Sequence, residues 1–252
     1  YIPGQVSYNL GGYPTKFSIA PTEYDFELVH DLAKRGVGLI QLHEDWNDAM
    51  RIHGADKYSC YDPEGLKEFI ALCHSEGIKV IPYVSTGYFP VTDPNFRPEF
   101  VRFHSPFIAR HMSYLRCSPE SEYWRKFIIE KSFEVIDKYG FDGIYNDMGY
   151  DKKQMIKDAA IARGETEFTV PYGYEIEDLL STVYSGIKER GGIYKLHADG
   201  NLAPACKDKV YDYLWIGESV QNAKIGVGKD YYGYVIPCPD FMANVEGDYH
   251  YH

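Results

Sequence analysis

The chain repeats one pattern: a helical stretch halted by glycine, then a short run that is apolar almost throughout and ends on polar residues. Val37 to Leu42 is the clearest of these runs, lying after Gly36 and ending at His43-Glu44-Asp45-Trp46. A strand without alternating polar positions is one covered on both faces, which points to parallel strands joined by crossover helices. The same reading gives strands at Gln5 to Leu10, Lys79 to Val84, Phe141 to Met148, Ile193 to Leu196, Tyr211 to Ile216 and Tyr232 to Ile236. Helices fall between them at Glu23 to Arg35, Glu64 to Ser75, Ser121 to Lys138 and Glu175 to Arg190.

Local signals punctuate these elements. Asp62-Pro63 reads as an N-cap followed by proline at the first helical position, and Tyr139-Gly140 as a helix end. Gly143, inside a strand, leaves room for a neighbouring backbone. The stretch from Phe89 to Pro119 is a long connection rich in Pro, Phe, Arg and His, and connections of that length build binding sites or lids.

Alternating strands and helices specify an α/β fold. An open doubly wound sheet would offer a glycine-rich phosphate turn after its first strand, and Gly11-Gly12-Tyr13-Pro14 does not match one. The expected architecture is therefore a (β/α)8 TIM barrel. Seven strands are legible, so the eighth is either truncated or hidden in the tail after Phe241. At 252 residues and 44% hydrophobic content, with no linker-like tract, the chain reads as one catalytic barrel domain over 1–252, a segment of a longer protein. It begins at Tyr1 rather than Met, so a removed signal peptide, with a secreted or periplasmic location, is compatible with it.

In such barrels the carboxyl ends of the strands line the active face. Collecting them gives His43, Glu44, Asp45 and Trp46 after strand two, and Tyr83 and Tyr88 around strand three. Asp147 follows at strand four, His197 and Asp199 at five, Trp215 and Glu218 at six, and Asp240 after seven. Acids dominate this rim. Two carboxylates facing one substrate are the minimum equipment for glycosidic cleavage, one protonating the leaving oxygen and the other attacking the anomeric carbon or activating water. Asp147 and Glu218 are the expected pair. Asp147 has a structural alternative as a helix cap, and Trp215 one as a core residue.

The stretch Asp142-Gly143-Ile144-Tyr145-Asn146-Asp147-Met148 resembles the Asp-Gly-x-Trp-x-Asp-Met signature of retaining α-glycosidases of family 31, whose nucleophile is the Asp before Met. Leu214-Trp215-Ile216-Gly217-Glu218-Ser219 is similar to the segment that bears their acid/base. The run from Arg116-Cys117-Ser118-Pro119 to Trp124 also resembles other barrel glycosidases, including those acting on α-N-acetylgalactosaminides. The chain departs from family 31 in having Gly149-Tyr150 after Met148, and Glu218 where that family has Asp. The resemblance covers roughly Cys117 to Asn222. It implies a retaining hydrolase acting on α-linked sugars, with Asp147 as nucleophile and Glu218 as acid/base.

The remaining rim residues are the expected sugar contacts: Asp199, His197, Glu44 and Asp45 for hydroxyls, Trp46, Tyr88 and Trp215 for stacking, with His43, Tyr83 and Asp240 beside them. His104, Arg110, His111 and Arg116 in the long connection could recognise an acidic sugar, with solvated charge as the default alternative. Two alternatives stay open: a catalytically silent glycan-binding barrel, and a metal-assisted isomerase or hydrolase using His43, Asp147, His197 and Glu218. The preferred reading needs no metal and no cofactor. A net charge of −11 argues against a nucleic-acid partner, and no apolar run is long enough to span a membrane. Aromatic residues are 16% of the chain, with 24 Tyr, a supply of flat surfaces carrying a hydroxyl that suits an oligosaccharide or glycoside. Five cysteines without paired metal spacing argue against a disulfide framework.

Overall fold

A computed structural model describes residues 2, 4–10, 16–17, 20–42, 46, 58–60, 62–101, 114–147, 164, 174–198 and 210–216, with backbone alone at 6–10, 16–17, 174, 198 and 214–216. Its strands are β1 (Gln5–Leu10), β2 (Lys16–Phe17), β3 (Leu39–Leu42), β4 (Lys79–Val84), β5 (Tyr88–Pro90), β6 (Tyr114–Arg116), β7 (Gly143–Asp147), β8 (Ile193–Ala198) and β9 (Tyr213–Ile216). The helices are α1 (Glu23–Lys34), α2 (Pro63–Ser75), α3 (Glu122–Tyr139) and α4 (Tyr174–Glu189). The expected strand Tyr232 to Ile236 and the tail beyond it lie outside the described residues.

Seven strands form one parallel sheet in the order β2-β1-β3-β4-β7-β8-β9. From β1 onward the spatial order follows the chain and never reverses. A doubly wound sheet reverses at its switch point; winding in one direction only is how a barrel is built, and the fold is the α/β barrel expected from the sequence.

Side-chain alternation along these strands separates two cores. Ile40, Leu42, Val80, Val84, Ile144, Tyr194 and Leu196 belong to an outer core with Phe69 and Cys73 of α2, Ile128 and Val135 of α3, and Leu179 and Val183 of α4. Their neighbours in sequence, Leu39, Ile81, Tyr83, Tyr145 and Ile193, form a second cluster on the opposite face. Both faces are dry, which is why the strands read as continuous apolar runs.

Local chemistry sets the element ends. The Asp62 carboxylate accepts from the Gly65 amide at 3.0 Å, Pro63 opens α2, and Gly140 closes α3 with φ at 84°. Gly143 has φ at 148°, and a Cβ there would stand 1.9 Å from the Ile193 carbonyl oxygen, so β7 and β8 approach as they do only because residue 143 lacks a side chain. Asp142 joins the opposite end of the sheet: its carboxylate accepts from the Val80 amide at 2.8 Å and pairs with His74 at 2.7 Å.

The connection after β4 contains structure of its own. Within Phe89 to Pro119, β6 pairs antiparallel with β5, Tyr88 standing opposite Arg116, and a 3₁₀ turn runs over Pro98–Phe100. Phe89 and Phe100 pack with Trp124 and Phe127 of α3 and bind this excursion to the barrel wall. Among the described residues no helix is long and apolar enough to cross a membrane.

Candidate active site around Asp147

Asp147 is the last residue of β7, and β8 runs on past Leu196, so His197 lies inside the strand as the direct register partner of Asp147. His197 Nδ1 lies 3.1 Å from Asp147 Oδ1. On the other side two phenols converge on Oδ2. Tyr83 of β4 donates one hydrogen bond, and Tyr88 of β5 donates the other at 2.8 Å. The imidazole stacks against the Tyr145 ring at 6.3 Å and 14°, and Tyr145 packs on Tyr83 at 5.3 Å. Asp147, His197, Tyr83, Tyr88 and Tyr145 therefore form one continuous cluster.

Electrostatics decide what this carboxylate can do. Burial alone would raise its pKa; the His197 charge, then hydrogen bonds from His197, Tyr83 and Tyr88, outweigh burial and pull it down to about 2. Asp147 is thus an anion at any ordinary pH and cannot be the proton donor. Burial and the Asp147 charge push the Tyr88 phenol the other way, well above its usual value, so it stays a donor. A carboxylate offers roughly four lone-pair positions. Oδ2 takes two donors and Oδ1 one, which leaves Oδ1 the oxygen with capacity for a ligand. The Asp147 side chain as a whole keeps 22% of its surface exposed.

A second layer of contacts holds the cage in place. The indole of Trp46 donates to the Tyr83 carbonyl at 2.8 Å, that of Trp124 to the Thr86 carbonyl at 3.1 Å, and the Tyr58 phenol to the Ser85 carbonyl at 2.5 Å. Asn146, fully buried, faces away from Asp147. Its Oδ1 accepts from the Thr86 amide at 3.0 Å, and its Nδ2 donates to Thr86 Oγ1 at 3.0 Å and Tyr194 Oη at 2.7 Å. One amide of β7 thus ties the turn just after β4 to β8.

The structure brings Asp147, His197, Tyr83 and Tyr88 together and stations Arg116 opposite Tyr88. Trp215 stands beside His197 in the β8–β9 register. Trp46 requires a correction: it is fully buried in the outer core, edge-on to Tyr139 and Phe141, with its nitrogen spent on Tyr83, and so has no face to offer a sugar. Glu218, His43, Glu44, Asp45, Asp199 and Asp240 lie outside the described residues. Among the described residues no three His, Cys, Asp or Glu gather as metal ligands would. Among the described cysteines, burial pushes Cys60 up to about 11 and Cys73 and Cys117 also upward, so these three are held as thiols.

Sequence reasoning missed Asn146, Lys195 and Gln41. Lys195 is 2% exposed, its ammonium 5.7 Å from the Tyr145 ring centroid. Gln41 is 1% exposed, and neither of its amide atoms has a hydrogen-bond partner among the described residues. The available signal was the same each time: a polar residue inside an otherwise apolar strand is placed there for a specific contact.

No family model matches the sequence, and no curated protein is significantly similar to it. Solved structures do share its fold. The galactosidase domain of an α-galactosidase-sucrose kinase superposes with a TM-score of 0.64 at 13% identity, over 95% of this chain and 32% of that one. A putative α-amylase from Salmonella typhimurium gives 0.56 at 15%, over 84% and 36%. An α-galactosidase from Thermus thermophilus gives 0.52 at 12%, over 78% and 38%. The chain spans about a third of the length of each.

Proposed function

We propose that this chain is a glycoside hydrolase that cleaves an α-linked sugar with retention, Asp147 attacking the anomeric carbon and Glu218 serving as acid and then base. The observation that carries this reading is the carboxylate at the end of a central barrel strand, caged by Tyr83, Tyr88 and His197. Of the two carboxyl roles in glycosidic cleavage, a group held near a pKa of 2 can fill only the anionic one. Asp147 Oδ1 attacks; Glu218 protonates the leaving oxygen and then takes a proton from the water that releases the glycosyl-enzyme. Tyr83 and Tyr88 act on the nucleophile, since both hydroxyls donate to Oδ2, and each phenolic oxygen keeps acceptor capacity for a sugar hydroxyl. His197 orients Oδ1, and His43, Glu44, Asp45, Asp199, Trp215 and Asp240 are the proposed sugar contacts. Two sources lend support: the resemblance of the Asp142 to Met148 stretch to retaining α-glycosidases, and the names of the like-folded amylases and galactosidases.

The test is a panel of activated aryl α- and β-glycosides with the wild type and Asp147→Ala. Loss of the nucleophile is expected to lower kcat by at least about a thousandfold. Added azide is expected to restore turnover, giving a glycosyl azide of the opposite anomeric configuration. Undiminished turnover in Asp147→Ala would sink the assignment.

A further inference from the structure

The antiparallel pair β5–β6 carries an arginine, Arg116, whose Nε has no hydrogen-bond partner among the described residues. Tyr88 and Arg116 are opposite each other across the pair, about 5 Å apart in such ladders. Tyr114, two residues before Arg116, stacks on the Tyr88 ring at 5.4 Å and 28°, so the two tyrosines share a face; alternation puts Arg116 on that face as well. The Tyr88 hydroxyl in turn donates to Asp147 at 2.8 Å, so Arg116 shares its face of the pair with a tyrosine that reaches the proposed nucleophile.

Other buried or half-buried arginines here have partners: Arg125 meets Asp178 and Arg190 meets Asp137. Arg116 meets no carboxylate among the described residues, and its Nε is buried with no hydrogen-bond partner. A guanidinium presents Nε and the adjacent Nη as a fork whose spacing matches the two oxygens of a carboxylate. A sugar hydroxyl could occupy the Nε, but it would leave the positive charge uncompensated.

We propose that Arg116 binds a carboxylate on the sugar held against Asp147, so that the substrate is a uronic-acid glycoside. This rests on the glycosidase reading above and narrows its substrate class. The chain's net charge of −11 repels such a substrate at a distance. At physiological ionic strength that repulsion is screened beyond about 8 Å, so the local fork decides.

The experiment compares each neutral aryl hexoside with its 6-carboxylate and its 6-sulfate, in the wild type, Arg116→Gln and Arg116→Lys. The wild type is expected to favour the 6-carboxylate, and the carboxylate-to-hexoside ratio of kcat/KM is expected to fall at least about a hundredfold in Arg116→Gln. Arg116→Lys, which keeps the charge without the fork, is expected to recover only part of it. A ratio unchanged by both variants overturns the proposal, and so does a wild-type preference for the neutral hexoside or the sulfate. Calorimetric titration of free hexuronates into the same proteins separates this from the catalytic reading. Uronate binding that is lost in Arg116→Gln, without turnover of any glycoside, upholds the carboxylate site and sinks the hydrolase. Turnover of neutral glycosides without uronate binding does the reverse. Circular dichroism of the variants identifies one that fails to fold, and the other then supplies the comparison.

Discussion

At the scale of single residues, Asp147 shows how a local signal acquires its chemistry from distant partners. An aspartate after an apolar strand can be read as a reactive acid or as a helix cap, and the sequence favours the first. Two phenols and an imidazole, 64, 59 and 50 positions away, engage both carboxylate oxygens and favour the ionised form. Hydrogen bonds to an ionised group each contribute about 1.5–3 kcal/mol, so removing one donor raises the Asp147 pKa. Tyr83→Phe and Tyr88→Phe are therefore expected to move the acid limb of kcat/KM to higher pH, the double variant furthest. Measured pH profiles that coincide with the wild type would show that the phenols do not act on Asp147. Tyr83 and Tyr88 were legible as rim residues, but that their hydroxyls donate to Asp147 was not, because that depends on the β4–β7 register.

At the scale of elements, the decisive feature is the buried tie from β7 to β8 and to the turn just after β4. Asn146 contributes one acceptor and two donors to it, and each partner is itself buried. Truncating the amide would remove three hydrogen bonds made at buried positions, to the Thr86 amide, the Thr86 hydroxyl and the Tyr194 hydroxyl. Asn146→Ala is expected to cost about 3 kcal/mol, from three lost hydrogen bonds at about 0.5–1.5 kcal/mol each. Denaturant titration checks this: the midpoint should fall while the slope holds. Helices and strands were readable to within a residue or two, since caps such as Asp62-Pro63 and stops such as Gly140 act through their immediate neighbours. The pairing of Tyr114–Arg116 with Tyr88–Pro90 was not, because it joins two short segments across a loop and leaves no periodic trace.

At the scale of the whole molecule, the site and the stability of the fold are linked through the same proton. Asp147 has its pKa lowered in the folded protein, so its contribution is present above the ordinary carboxylate pKa and is lost as pH falls through about 2. A drop from the ordinary value to about 2 corresponds to about 2 kcal/mol. Between pH 4 and 2 the wild type is expected to lose that much stability in addition to the general effect of acid, and Asp147→Asn is expected to lose less over the same window. Chemical denaturation at several pH values reads the difference directly. Equal slopes for the two proteins would show that the cage exerts no such pull.

The sequence by itself determined the class of fold, the order of its elements and the acid at the end of the Gly143–Asp147 strand. Apolar runs, glycine stops and proline starts are properties of a few adjacent residues and survive without knowledge of the rest. Tertiary structure decided which way each side chain faces and what it meets. A tryptophan after a strand end looks the same in sequence whether its ring is open to a ligand or, like Trp46, closed within the helix layer. An arginine in a long connection looks solvated until strand pairing sets it opposite Tyr88 with a nitrogen unmet among the described residues. Those outcomes follow from register and burial, and both arise only when segments far apart in the chain pack together.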